Sequence, residues 1–168
     1  MSEIIIRSIE AKDVIEAVDL IVARLCFERP RLSEERTSDW TQRYDDIKEL
    51  GKSHKFYIAE IDGKIVGTGG LQFVTNDDTP EPFPKTRLEL RAAFTHPEYR
   101  GRKIGDLIYA KRLDDAMQTS ENYIYGNFAP FPRTQARYKS LGFIEYPGDG
   151  MPAPWSDGIN VTMRKRIR

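Results

Sequence analysis

The amino-acid sequence predicts an α+β fold, a mixed and mostly antiparallel central sheet of about seven strands flanked by about four helices. Three observations lead there. Short runs rich in β-branched and aromatic residues recur along the chain. Between some of them, apolar residues fall at helical spacing. One such helix leads directly from one strand to another, as a crossover between parallel strands does, while the other strands are mostly spaced for antiparallel pairing.

Ile4–Ile9 is the first strand, a β-branched run. Asp13 then precedes Val14, Val18, Ile21, Val22 and Leu25, which share one helical face. Leu32–Leu50 reads as a second helix with Ser33 as a weak cap and Gly51 at its end. Phe56–Ile61 and Lys64–Val74 are strands joined by Asp62-Gly63, a two-residue hairpin signature. The returning strand carries Gly67, Gly69 and Gly70, which weaken an ordinary strand and imply a bulge or a close backbone approach. After a Pro- and Asp-rich loop, Leu88–Thr95 is the fourth strand, closed by Pro97. Arg102–Thr119 is the clearest helix, with Ile104, Leu107, Ile108, Leu113 and Met117 near one face. Tyr123–Phe128 is a strand and Arg133–Ser140 a short helix, followed by Gly142 where a helix C-terminal glycine belongs. Phe143–Tyr146 and Ile159–Met163 are the last strands, and the loop between them holds Trp155.

The 168 residues fit one domain over 1–168. Hydrophobic residues at 39% and charged residues at 31% place the chain among globular proteins. Lys plus Arg number 26, as do Asp plus Glu, so no net field draws the chain onto nucleic acid or a membrane surface. No apolar run approaches the ~18 residues of a membrane span. Glu3, Arg7 and Glu10 bracket Ile4-Ile5-Ile6 too closely for a signal-peptide core. The expectation is a cytoplasmic protein that engages neither nucleic acid nor membrane. Cys26 lies in an apolar helical run and reads as a small buried hydrophobe. With only His54 and His96 beside it, the chain falls short of an ordinary zinc ligand set, and no metal is expected.

The segment from Leu90 to Leu113 carries the chemistry. A strand ends at Thr95, a turn contains Gly101 and Gly105, and an amphipathic helix follows at once. A helix N-terminus presents unpaired N–H groups and a partial positive charge, which suit a phosphate. Glycine lets backbone approach a ligand. Arg100, Arg102 and Lys103 add cations around the same turn. On composition alone, a diphosphate cradle and a tight strand–helix turn with a solvated basic surface both fit. The turn matches neither the P-loop nor the Gly-x-Gly-x-x-Gly dinucleotide pattern.

The run His96-Pro97-Glu98-Tyr99-Arg100-Gly101-Arg102 resembles the GNAT N-acetyltransferase family, as does Arg137-Tyr138-Lys139-Ser140-Leu141-Gly142-Phe143 about forty residues later. In the family's turn pattern Arg100 stands first and Gly105 last, and Lys103 replaces the usual first glycine. The resemblance implies acetyl-CoA as the acetyl-donor substrate. Main-chain groups of Ala93, Phe94 and Thr95 would pair with its pantetheine arm, and its pyrophosphate would lie against Arg100, Gly101, Arg102, Lys103, Ile104 and Gly105, near Asp106. Phe131 occupies the place of a family asparagine, so Asn127 and Arg133, with Thr134, are the further coenzyme candidates.

A protonated amine must lose a proton before it attacks a thioester, and the departing thiolate gains from receiving one. Tyr138 resembles the family tyrosine that protonates the sulfur. Glu89 matches a glutamate that serves as base in some members. Each also has a plainer reading, as a core aromatic and a strand glutamate. The acceptor, a small-molecule or peptide amine, would enter near Phe27–Leu32, Trp40, Tyr44 and Trp155. A homodimer is left open. So are a non-catalytic acyl-CoA-binding regulatory module and a structural domain without a coenzyme site.

Overall fold

The computed structural model describes residues 2–28, 55–75, 84–128, 132–146 and 161–168. In chain order the strands are β1 (Ile5–Ser8), β2 (Lys55–Ile61), β3 (Lys64–Thr75), β4 (Thr86–Thr95), β5 (Tyr123–Phe128), β6 (Ile144–Glu145) and β7 (Val161–Arg166). The helices among the described residues are α1 (Val14–Glu28), α2 (Ile104–Met117) and α3 (Pro132–Ser140). The strands form one seven-stranded sheet in the order β1-β2-β3-β4-β5-β7-β6. The chain falls into two compact units, Met1–Gln72 with Arg91–Asp114, and Phe73–Leu90 with Asp115–Arg168. The expected helix over Leu32–Leu50 lies outside the described residues.

In the first unit, β1 and β3 flank β2, and β1–β2 and β2–β3 run antiparallel. Asp62 and Gly63 both take positive φ, 50° and 78°, as a two-residue hairpin turn with right-handed strand twist requires. Side chains on a strand alternate between faces. Phe56 and Ile58 therefore join Ala17, Val18, Leu20 and Ile21 of α1 in one apolar cluster. Tyr57, Ala59 and Ile61 join Val66 and Ile104 and Ile108 of α2 in another.

In the second unit, Leu88–Leu90 of β4 pair in parallel with Ile124–Gly126 of β5. This is the crossover that the helix between those strands implied. β5 and β6 each run antiparallel to β7. The helix α2 starts at Ile104, two residues after the expected Arg102, because Gly101 and Lys103 both have positive φ. It ends at Met117, where Gln118 and Thr119 close a tighter turn onto the carbonyls of Asp115 and Ala116.

Arg7 ties β1 to the entry of α1 and to β2. Its guanidinium donates to Asp13 at 2.6 and 3.0 Å and to Glu60 at 2.7 and 3.1 Å. Asp13 also accepts the Glu10 amide at 2.8 Å. The Arg7 hydrogen bonds hold the Asp13 carboxyl below its ordinary value despite burial, and the same bonds raise Arg7. A carboxyl depressed in the folded state stabilises above its unfolded pKa, and that stability fades as pH falls through the folded value. Asp13→Asn is expected to lower unfolding free energy by about 2 kcal/mol at pH 7. In urea melts at stepped pH, the difference from the unsubstituted protein should shrink from about pH 4 downward.

Candidate active site

The glycines of β3 serve close approach, as the sequence implied. A Cβ at Gly67 would lie 2.6 Å from Ile104 Cγ2, and one at Gly69 would lie 2.6 Å from Ile108 Cγ2. The bare strand lets α2 settle directly onto its backbone. Ile104 and Ile108 are each 1% exposed as a result. The buried Arg112 Nη1 donates to the Gly70 carbonyl at 3.4 Å one turn further along. The start of α2 is therefore fixed by packing on both sides of its first turn.

The expected coenzyme turn lies just ahead of that seat. His96 N–H donates to the Val66 carbonyl at 2.9 Å, which pins the end of β4. Pro97–Tyr99 form a short 3-10 turn, closed by Tyr99 onto His96 and by Arg100 onto Pro97. Gly101 then takes φ +81° and Lys103 φ +60°. Left-handed conformation is unfavourable for a residue with a Cβ, by about 1–2 kcal/mol. The Lys103 carbonyl nonetheless accepts the amides of Asp106 at 2.9 Å and Leu107 at 3.0 Å, which starts the helix ladder. The Ile104 and Gly105 amides precede the first intrahelical donors. Arg100, Arg102, Lys103 and Asp106 are exposed around them. The Arg102 guanidinium lies 5.6 Å from the Tyr99 ring centre, and Lys64 Nζ lies 5.8 Å from it.

Upstream, β4 contains a feature that no sequence signal announced. Ala92 has φ +46°. A non-glycine residue in this region marks a bulge or strain, and both are frequent beside functional sites. The buried Thr68 hydroxyl donates to the Ala92 carbonyl at 2.9 Å and holds the kink. Ala93 is exposed, and Phe94 and Thr95 are half-buried. The residues from Ala93 to Asp106 thus form one continuous strand–turn–helix.

In the second unit, Tyr138 occupies the last turn of α3 and is 7% exposed. Gly142 takes φ +86°, its amide bonds to the Lys139 carbonyl, and the Phe143 amide reaches back to the Tyr138 carbonyl. This is a Schellman cap, and its hydrophobic contact is the edge-on Tyr138–Phe143 pair at 5.4 Å. Phe128 stacks on the Tyr138 ring at 3.7 Å. A Cβ at Gly126 would come within 2.2 Å of the Phe128 ring, so only glycine leaves room for that ring. The Gly-x-Phe spacing in β5 was the missed signal.

Glu89 is 1% exposed and accepts a hydrogen bond from Arg87 Nε, which is 2% exposed as a residue. Arg87 also donates to the Pro84 carbonyl at 3.0 Å. Arg87 lies two positions earlier on the same strand face and was not among the residues singled out from the sequence. Arg133 is exposed in the first turn of α3. Asn127 pairs with Thr162 through β5 and β7, but its side chain lies outside the described residues. So do Phe131, Trp40, Tyr44, Trp155 and the side chains of Cys26 and Phe27. Among the described residues, no group of three or more His, Cys, Asp or Glu is arranged to hold a metal ion. No helix among them is long and apolar enough to cross a membrane.

A family model described as "Acetyltransferase (GNAT) family" matches residues 21–143. Comparison with curated protein sequences gives no match. Solved structures resemble the whole chain. A GNAT-family acetyltransferase from Staphylococcus aureus Mu50 is 20% identical with a TM-score of 0.72, covering 99% of this chain and 100% of its own. The PaiA N-acetyltransferase of Thermoplasma acidophilum, solved with coenzyme A, is 18% identical with a TM-score of 0.72, covering 98% and 99%. YncA of Salmonella typhimurium, a putative acetyltransferase solved with acetyl-CoA, is 14% identical with a TM-score of 0.72, covering 99% and 95%. At these identities the likeness concerns the fold.

Overpacking the seat tests its role. Gly69→Val is expected to destabilise by about 1–3 kcal/mol, from displaced Ile108 and Arg112. Lys103→Val, a β-branched residue forced to positive φ, is expected to lower the melting temperature, whereas Lys103→Gly leaves it unchanged or raises it. Calorimetric melts of the three variants check both expectations.

Proposed function

The chain belongs to the GNAT acetyltransferase family, and on that premise we propose that it transfers the acetyl group of acetyl-CoA to an amine by direct attack in a ternary complex. The observation that carries this reading is the turn before α2. Two left-handed residues, Gly101 and Lys103, lead into the first-turn amides of Ile104 and Gly105. Exposed Arg100, Arg102 and Lys103 surround them. Together these groups suit a diphosphate, and the coenzyme A and acetyl-CoA complexes of the two relatives support the assignment. Ala93, Phe94 and Thr95 are proposed to pair with the pantetheine arm through their main chain. Asp106, Asn127 and Arg133 complete the proposed coenzyme contacts.

The chemistry needs no covalent enzyme intermediate. The neutral amine nitrogen attacks the thioester carbonyl, a C–N bond forms, and the C–S bond breaks. Tyr138 is proposed to donate its phenolic proton to the departing sulfur and to regain one from solvent. Its ring is held by Phe128 and Phe143, which suits a donor that must present its hydroxyl in one direction. Glu89 is proposed to take the amine proton, directly or through one water.

The Arg87–Glu89 pair favours a second reading. A carboxylate held by a buried guanidinium suits a non-catalytic acyl-CoA-binding module better than a free base does. The two readings separate by assay. Transfer predicts free-thiol release from acetyl-CoA in the presence of an amine panel. In that assay Tyr138→Phe should lower kcat about a hundredfold while its acetyl-CoA Kd by calorimetry stays unchanged. Tight coenzyme binding without thiol release from any amine supports the module instead.

A further inference from the structure

Glu89, Tyr125 and Arg164 lie side by side on one face of the sheet. Tyr125 is the register partner of Glu89 across β4 and β5, and Arg164 is the register partner of Tyr125 across β5 and β7. Register partners project to the same face, so Glu89 and Arg164 are two strands apart, about 10 Å at Cα. On this face the buried Arg87 is paired with Glu89. Arg164 is treated differently.

The Arg164 guanidinium carbon lies 4.7 Å from the Tyr123 ring centre and 4.5 Å from that of Tyr146. Its remaining partner among the described residues is the Tyr125 side chain, which hydrogen-bonds to it. Two rings hold the guanidinium from the side, and no carboxylate neutralises it within that set. Its Nε is buried and, among the described residues, without a hydrogen-bond partner. A buried unsatisfied N–H is unfavourable, and one on a charged group more so. A guanidinium held by aromatic rings keeps its planar fork of donors oriented for a two-oxygen acceptor. Burial pushes the Tyr125 phenol up, which keeps it a neutral hydrogen-bonding neighbour.

We infer that Arg164 binds a carboxylate on the acceptor, so that the preferred amine substrates are amino acids or similar carboxylate-bearing amines. This rests on the reading of Glu89 as the base, which places the reacting amine on the same face. The carboxylate supplies a counter-charge that the described neighbours of Arg164 do not.

The test is a thiol-release assay on matched pairs of acceptors: L-alanine, L-phenylalanine and β-alanine, each against its primary amide. The unsubstituted protein is expected to favour the carboxylates by about tenfold to hundredfold in kcat/KM, the range of one charge-assisted hydrogen-bonded contact. Arg164→Met should reduce that ratio to near one, and Arg164→Lys should leave an intermediate ratio. If Arg164→Met does not fold, the ratio in the unsubstituted protein and in Arg164→Lys decides alone. Turnover with no preference for carboxylates overturns the inference, as does a preference that Arg164→Met retains. Turnover of neither member of any pair overturns the transfer reading itself, and the inference with it.

Discussion

The seat of α2 on β3 is the constraint on which the proposed coenzyme site depends. Two glycines remove the side chains that would otherwise keep the helix away, and Ile104 and Ile108 fill the space they leave. Ile104 is also the first residue of the helix, so the contact that buries the core fixes the N-terminus at the same time. A helix end is useful for holding an anion only when its amides stay in place. Here that placement follows from apolar packing, which salt does not screen, and the cations around the turn add charge without having to position it.

Backbone strain is concentrated on either side of this seat. Ala92 and Lys103 both adopt positive φ without being glycine. Each persists because a neighbouring group secures it. The Thr68 hydroxyl holds the Ala92 carbonyl, and the Asp106 and Leu107 amides hold the Lys103 carbonyl. Strain of this kind is retained where surrounding structure over-determines it. Ala92 immediately precedes, and Lys103 lies within, the segment to which the resemblance assigns the pantetheine and pyrophosphate. A glycine at 103 would avoid the strain, but it would remove an ammonium from beside the first-turn amides.

Much of this was legible from residue order. Runs of β-branched and aromatic residues gave the strands, and Asp62-Gly63 gave the hairpin. The interrupted β3 announced a close approach because glycine has few other reasons to cluster in a strand. Gly142 announced the cap that carries Tyr138. Legibility failed where a conformation depends on distant partners. Nothing local to Ala92 signals a kink, since it arises from Thr68, which is 24 residues away. Burial of Glu89 against Arg87 was equally hidden, because alternation places both on one face without saying that they are buried there. The tyrosines around Arg164 likewise come from pairing between strands, which single-sequence spacing does not reveal.

The central claim is that the amides at the start of α2 receive the coenzyme's diphosphate. The most direct measurement is a backbone amide NMR titration of the intact chain with coenzyme A. The account predicts that Gly101, Ile104 and Gly105 show the largest shifts and saturate together, with an affinity that weakens as salt increases. Saturable binding of coenzyme A that leaves those three amides unmoved would contradict it.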